Sequence, residues 1–115
     1  IPPIEIFGDD EGILVLGWGS TYGAIHTGVA EAREEGVKVG HVHLRHLNPL
    51  PKDLGDILAK YDQVLMPEMN LGQLIKIIRA EYLVDAQGLH KVQGQPFHVD
   101  EIKTKILSLA ATPTA

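Results

Sequence analysis

The sequence predicts an α/β fold of three layers, in which helices cover both faces of a mostly parallel sheet. Apolar runs typical of strands alternate along the chain with segments whose apolar residues recur at helical spacing. The connections between these segments are short, which favours parallel strands joined by helical crossovers. The run 13–16 lacks the polar alternation of a half-exposed strand and is typical of a central strand covered on both faces.

Length and composition indicate one globular domain over residues 1–115, with 1–12 as a leading edge strand and turn and 110–115 as a frayed tail. The chain has no cysteine, which excludes disulfides, thiolate nucleophiles and cysteine-ligated iron–sulfur clusters within it. A net charge of −5 without a basic patch argues against nucleic acid. No apolar run approaches the roughly 20 residues of a membrane span, and the expected compartment is the cytosol. The start at Ile1, in place of a methionine, suggests a piece cut from something longer, although processing would look the same.

The individual elements follow from periodicity and from residues that begin or end helices. Ser20 or Thr21 is expected to cap the first helix, and Gly36 to end it. Pro51 suits the first turn of a short second helix, and Asn70 with Gln73 resembles a capping box for the third. The predicted strands are 4–7, 13–16, 37–44, 63–67 (stopped by Pro67) and 89–92, and Ile102, Ile106 and Leu109 mark a last helix.

The turn 17–23 joins the first buried strand to the first helix and carries three glycines as Gly-x-Gly-x-x-x-Gly. This is close to the dinucleotide-binding fingerprint, in which glycines let the backbone approach a pyrophosphate. Such a site also needs an acidic residue at the end of the second strand, where residues 43–46 contain none. The pattern therefore favours a tight corner. An anion site at Gly19, Ser20 and Thr21, and with it an NADP-type nucleotide-binding domain, is the alternative.

Two further groups of polar residues offer chemistry. His41 and His43 point to the same side of a strand and, with His46, suggest a metal site or histidines that hydrogen-bond to neighbours; the second is favoured because no carboxylate or cysteine lies nearby in sequence. Glu68 follows the third predicted long strand, where α/β proteins place catalytic groups. It is either a general acid or base, or a residue that ties down the helix start at Asn70.

Five blocks in order carry a resemblance to a known family. The blocks are residues 16–23, 43–49, 67–74, 79–85 and 91–97. Together they resemble the C-terminal domain of the alpha subunit of 2-oxoacid:ferredoxin oxidoreductases, especially of the 2-oxoglutarate type. The resemblance extends from about residue 13 to about residue 109.

The resemblance implies both a fold and a role. The fold would be that of the transketolase C-terminal domain, a five-stranded, mostly parallel sheet with one antiparallel strand between helix layers. The complete enzyme would convert a 2-oxoacid and coenzyme A to acyl-CoA, carbon dioxide and reduced ferredoxin, with thiamine diphosphate, magnesium and iron–sulfur clusters bound by other domains and the beta subunit. This chain would then be a non-catalytic assembly domain with no catalytic or metal-binding residue. Its interface candidates are Trp18, Tyr22, Glu68, Asn70 and Gln73.

Overall fold

The computed structural model describes residues 4–45, 51–68, 73–82, 85–90 and 97–111, and at Ser20, Gln73 and His90 it describes the backbone alone. Strands and helices alternate along these ranges, as predicted. They are β1 (Phe7–Gly8), β2 (Ile13–Trp18), α1 (Tyr22–Glu34) after a single 3-10 turn (Gly19–Thr21), β3 (Val39–Leu44), α2 (Leu54–Leu58), β4 (Gln63–Glu68), α3 (Gln73–Tyr82), β5 (Gln87–His90) and α4 (Val99–Ala111).

The five strands form one sheet in the order β1-β3-β2-β4-β5. Strand β1 pairs antiparallel with β3, and the other neighbours pair in parallel. The predicted mostly parallel sheet with one antiparallel strand is therefore confirmed. The crossover from β2 to β3 runs toward one edge of the sheet, and the crossover from β4 to β5 runs toward the other edge. The direction of winding therefore reverses between β2 and β4.

Helices cover both faces of the sheet, and each face has its own apolar core. Helices α2 and α3 lie on one face, and α1 and α4 lie on the other. Right-handed crossovers in opposite directions require α1 to lie opposite α2 and α3, and α4 follows the last strand. The first core includes Leu14, Leu16, Val42, Leu54, Met66 and Ile78, and the second includes Val15, Ile25, Val29, Leu65, Ile102 and Ile106.

Several predicted boundaries were wrong for physical reasons. The edge strand is Phe7–Gly8 and not 4–7: only these two residues pair with β3, and the backbone N–H of Ile4 donates instead to the Asp53 carboxylate at 3.0 Å. Pro67 does not stop β4: the pairing of β4 with β2 ends at Leu65, so a residue without an N–H beyond that point costs no bond on that side.

The bounds of α2, β5 and α4 also differ from those predicted. Helix α2 begins at Leu54, and Pro51 precedes it, its carbonyl accepting the Leu54 N–H. Strand β5 is Gln87–His90, earlier than predicted, and residues 91 and 92 lie outside the described ranges. Helix α4 continues through Ala111, so residues 110 and 111 are helical; the rest of the predicted tail lies outside the described residues.

The ends of α1 show one correct and one wrong assignment. Gly36 adopts a φ of 91° directly after the helix, as a left-handed helix end requires. Thr21 occupies the N-cap position but makes no capping bond; its hydroxyl donates instead to the carbonyl of Trp18 at 2.9 Å. Among the helices of the described residues, none combines the length and the apolar character that a bilayer crossing requires.

Candidate functional site

The crevice between the carboxyl ends of β2 and β4 is where an open α/β sheet usually binds its ligand, because the winding direction reverses there. The two strands pair only from Ile13 to Val15 on β2 and from Gln63 to Leu65 on β4. Beyond these pairs the strands continue to Trp18 and Glu68 without facing each other across a ladder. The last residue of each strand thus lies at the mouth of the crevice.

Trp18 and Glu68 meet across this mouth. The indole Nε1 of Trp18 donates a hydrogen bond of 3.4 Å to Oε1 of Glu68. Trp18 is half-buried and packs against the first core, whereas Glu68 is only 1% exposed. Two side chains of the chain itself therefore meet across the mouth of the crevice.

Glu68 also satisfies the start of α3. Its Oε1 accepts the backbone N–H of Leu74 at 3.0 Å, and its Oε2 accepts that of Ile75 at 3.3 Å. The first N–H groups of a helix have no partner within the helix, and a carboxylate placed there also benefits from the helix dipole. Of the two roles that the sequence left open for Glu68, the structure displays the hydrogen bonds of the second, a carboxylate that ties down a helix start.

The glycine turn before α1 is a packed corner. A Cβ added to Gly17 would lie 2.4 Å from Cδ1 of Ile25, so the glycine is needed to let α1 pack closely against β2. Gly19 has a φ of 68°, and its carbonyl lies 3.0 Å from Nε2 of His43. The glycine at position 17 is thus explained by packing within the domain. Of the anion-site candidates, Thr21 is buried with its hydroxyl bonded to Trp18, and the side chain of Ser20 lies outside the description.

A second group of side chains lies around Tyr22, at the start of α1. The ring of Tyr22 lies 5.4 Å from that of His26, 5.3 Å from that of His41 and 5.1 Å from that of His43, measured between ring centroids. Phe7 of β1 packs on His26 at 4.0 Å. We call Phe7, Tyr22, His26, His41 and His43 the aromatic cluster.

Two histidines of the aromatic cluster, His41 and His43, lie where burial opposes the uptake of a proton. The His43 Nε2 faces the Gly19 carbonyl, which can only accept, so the proton is assigned to Nε2. Nδ1 of His26, Nε2 of His41 and Nδ1 of His43 are buried and have no hydrogen-bond partner among the described residues. Burial, helped by the charges that His43 and His26 would carry, lowers the pKa of His41 to about 4. Burial also lowers the pKa of His43, against the hydrogen bond to Gly19.

The cluster does not form a metal site in the described part of the chain. No group of three His, Cys, Asp or Glu side chains there has the geometry to hold an ion. His46, the third histidine of the metal hypothesis, lies outside the described residues. His26 was not anticipated, although it follows Tyr22 by four residues and that spacing places both on one face of a helix.

The predicted interface residues separate into different environments. Tyr22 is 45% exposed and, with Ile77, is one of the two exposed large apolar side chains among the described residues. Trp18 is half-buried and Glu68 is buried, and these two are in contact. Asn70 and the side chain of Gln73 lie outside the description.

Comparison with solved structures first defines the class of the fold. A structure described as a split-gene transketolase, an inactive beta4 tetramer, matches with a TM-score of 0.72 over 94% of this chain and 41% of that one, at 13% identity. That likeness concerns the fold alone. The domain thus has the fold of the transketolase C-terminal class, as predicted.

The family follows from closer matches. Residues 12–102 match the family model for the pyruvate:ferredoxin oxidoreductase core domain II. The 2-oxoglutarate oxidoreductase subunit KorA of Mycobacterium tuberculosis is 49% identical over 105 residues, which are 89% of this chain and 16% of that protein. The alpha subunit of 2-oxoacid:ferredoxin oxidoreductase 1 of Aeropyrum pernix is 31% identical over 112 residues, 92% of this chain and 18% of that one.

One solved relative is similar in both sequence and structure. The 2-oxoglutarate:ferredoxin oxidoreductase of Magnetococcus marinus, with 2-oxoglutarate, coenzyme A and succinyl-CoA bound, matches with a TM-score of 0.87 and 27% identity over 96% of this chain and 20% of that one. The chain belongs to the 2-oxoacid:ferredoxin oxidoreductases, as domain II of the alpha subunit. It spans only about a sixth of the length of the two curated relatives, 16% and 18%.

Proposed function

We propose that this chain is a non-catalytic assembly domain of a thiamine-diphosphate-dependent 2-oxoglutarate:ferredoxin oxidoreductase. The complete enzyme would convert 2-oxoglutarate and coenzyme A to succinyl-CoA and carbon dioxide, and would pass the electrons to ferredoxin. The observation that carries the assembly role is the crevice between β2 and β4. Its mouth is filled by Trp18 and Glu68, and the carboxylate of Glu68 is engaged by the N–H groups that begin α3.

The choice of 2-oxoglutarate rests on the relatives. The Mycobacterium tuberculosis protein named as a 2-oxoglutarate oxidoreductase subunit is 49% identical. The Magnetococcus marinus enzyme was solved with 2-oxoglutarate, coenzyme A and succinyl-CoA bound. We therefore assign 2-oxoglutarate as substrate and coenzyme A as co-substrate of the parent enzyme.

The residues of this chain do not fit the other cofactors of the family. An iron–sulfur cluster held by thiolates needs cysteines, and the chain has none. A thiamine diphosphate in the switch-point crevice would have to displace the buried contact between Trp18 and Glu68. We assign thiamine diphosphate, magnesium and the clusters to other domains of the enzyme and to the beta subunit.

The carboxyl edge of the sheet is the surface that we assign to the beta subunit or a preceding domain of the alpha subunit. Tyr22 is an exposed aromatic ring at the start of α1, and Trp18 lies half-buried at the end of β2. Aromatic residues of this kind are enriched at protein interfaces, because they bury a large area at a small cost in side-chain entropy. Glu68 supports this edge from within, and Asn70 and Gln73 follow it in sequence.

A substitution of Tyr22 by Asp tests the interface. An acidic residue in the first turn of a helix favours the helix, so α1 should still form while the change places a charge in the contact. Because the Tyr22 ring also packs on His26, His41 and His43, far-ultraviolet circular dichroism of the variant checks the fold. We expect association with the beta subunit to weaken roughly ten-fold or more, as for a central interface aromatic. The measurement is a titration of the purified alpha subunit with the beta subunit.

The matched control is Ile77→Asp, which changes an equally exposed apolar residue on α3. An alpha subunit carrying Tyr22→Asp that still assembles with unchanged affinity would contradict the interface. Trp18→Asp is a poorer test, because it would place a second carboxylate beside buried Glu68. Trp18→Ala avoids that repulsion.

An NADP-type nucleotide-binding domain would behave differently. Titration of the chain with NADPH, NADH, coenzyme A and thiamine diphosphate separates the two functions. Micromolar binding of a nicotinamide nucleotide, lost on Gly19→Glu, would overturn the assembly role. We expect no such binding, because the Thr21 hydroxyl is bonded to the Trp18 carbonyl and the Gly19 carbonyl to His43.

A further inference from the structure

Three hydrogen-bond donors from two separate parts of the chain converge on the carboxylate of Glu68. Two are the backbone N–H groups of Leu74 and Ile75, at 3.0 and 3.3 Å, and the third is the indole N–H of Trp18, at 3.4 Å. Oε1 accepts from both Leu74 and Trp18, and Oε2 accepts from Ile75. The group therefore joins the end of β2 to the start of α3.

The buried carboxyl group of Glu68 is satisfied by these hydrogen bonds. The side chain is 1% exposed, and among the described residues no Lys, Arg or His forms a salt bridge with it. A buried carboxylate needs several strong hydrogen bonds, and the first turn of a helix supplies two N–H groups together with the positive end of its dipole. Since the helix holds the carboxylate in place, the carboxylate is in turn a fixed acceptor for the indole.

The hydrogen bond to Glu68 matters for Trp18 because the backbone pairing of β2 with β4 does not extend to this residue. The pairing between β2 and β4 ends at Val15 and Leu65, three residues before each strand ends. On its other side, β2 remains paired with β3 up to Trp18 and Leu44. The orientation of the indole toward β4 thus depends on packing against the first core and on the one bond to Glu68.

We propose that Glu68 is a positioning residue, which holds Trp18 in the orientation that the carboxyl edge presents to the neighbouring subunit. This deepens the proposed function and rests on it. In this role Glu68 acts through Trp18 and makes no contact with the partner itself. The α3 helix is then part of the interface indirectly, because its first turn fixes the acceptor for the indole.

Trp18 is the one tryptophan in these 115 residues, so fluorescence is measured on this chain, where no second indole contributes, and association is measured on the alpha subunit. In Glu68→Ala all three donors lose their acceptor. We expect the Trp18 emission to move to longer wavelength and acrylamide to quench it more strongly. Association of the alpha subunit with the beta subunit should weaken roughly ten-fold, or about 1.4 kcal/mol.

Glu68→Gln is the conservative variant, and it separates the donors. An amide has one acceptor oxygen, which serves two donors if it takes the place of Oε1 and only one if it takes the place of Oε2. We expect the first arrangement. The Trp18 emission and the subunit affinity should then return toward the unsubstituted values, while the amide of Ile75, left facing an NH₂ group, should exchange with solvent faster.

Glu81→Gln, which removes a charge from the exposed side of the same helix, is the control and should change none of these signals. An unchanged Trp18 emission in folded Glu68→Ala would overturn the positioning role. If Glu68→Ala does not fold, Glu68→Gln decides alone: a Trp18 emission moved to that of an exposed indole, together with an unchanged subunit affinity, would overturn the positioning role.

The subunit titration distinguishes this inference from the proposed function. If Tyr22→Asp weakens assembly and folded Glu68→Ala does not, the interface stands and the positioning role falls. If neither change affects assembly, the interface itself falls, while the fluorescence of Trp18 still shows whether Glu68 orients the indole.

Discussion

At the scale of single residues, His41 is the group whose protonation the fold opposes most clearly. Its side chain is 2% exposed, and its Nε2 has no partner among the described residues. The titratable groups that face it are His43 on β3 and His26 and Tyr22 on α1, and none of them offers a negative charge at neutral pH. A proton on His41 would therefore be buried without compensation.

This predicts an acid-sensitive stability. The pKa of His41 falls from 6.5 to about 4 in the folded chain, so its contribution is fully present above pH 6.5 and is lost as the pH falls toward 4. The loss attributable to His41 should reach roughly 3 kcal/mol at the acid end. Urea unfolding of the chain at pH 7 and at pH 4 measures it.

His41→Leu, which cannot take up a proton, is the comparison for this prediction. Carboxyl groups also titrate in the same range, so the quantity to compare is the difference in the free energy of unfolding between the two pH values. That difference should be smaller in the variant. An equal loss in both proteins would show that His41 does not carry the effect.

At the scale of elements, much of the fold followed from periodicity alone. The central strand β2, the apolar stripe of α1 and the left-handed end at Gly36 were predicted because each depends on residues close in sequence. Pro67 was misjudged, because whether a proline interrupts a strand depends on where the neighbouring ladder ends. That information is not local.

The candidate site was predicted only in part, because the contacts that form it depend on the strand order and not on residues close in sequence. Glu68 was expected at the carboxyl edge, and its helix-capping role was one of two alternatives. The partner Trp18 lies 50 positions away, and only the strand order brings it next to Glu68. The aromatic cluster likewise combines α1 with β3 and β1, and sequence spacing alone linked no more than His41 with His43.

The packing of α1 against α4 gives a prediction at this scale. A Cβ on Gly28 would lie 2.9 Å from Cγ2 of Ile102 on α4, whereas a Cβ on Gly23 in the same helix would meet nothing within 4 Å. Gly28→Ala should destabilise the chain by about 1–3 kcal/mol through overpacking. Gly23→Ala, the control, should be neutral or stabilise it by up to about 1 kcal/mol, because alanine favours the helix.

Thermal or urea unfolding of both variants tests this pair. The comparison is sharp because the two changes add the same methyl group to one helix. Equal stabilities would mean that α4 moves away from α1 at little cost, and would contradict the close packing of the two helices.

At the scale of the whole molecule, two apolar cores share one sheet. Leu14 on β2 belongs to the first core and Leu65 on β4 to the second, and both are fully buried. Neither core can persist without the strands that carry the other. The two faces should therefore unfold together in a single transition.

Matched truncations on the two faces test this coupling. Leu14→Ala and Leu65→Ala should each lower the free energy of unfolding by about 2–5 kcal/mol, since each leaves a cavity in a closed core. Fluorescence of Trp18, which packs on the first core, and far-ultraviolet circular dichroism should give one midpoint in each variant. Separate midpoints for the two signals in Leu65→Ala would show that the faces are independent.

The contact between Trp18 and Glu68 also has a consequence for comparing chains of this fold. It closes the crevice at the position where other sheets of this kind admit a ligand. The identities of these two positions thus form a simple criterion. A related domain with an indole and a carboxylate there would carry the same closed edge, whereas one with small residues at both would have an open crevice and would be the better candidate for binding a small molecule of its own.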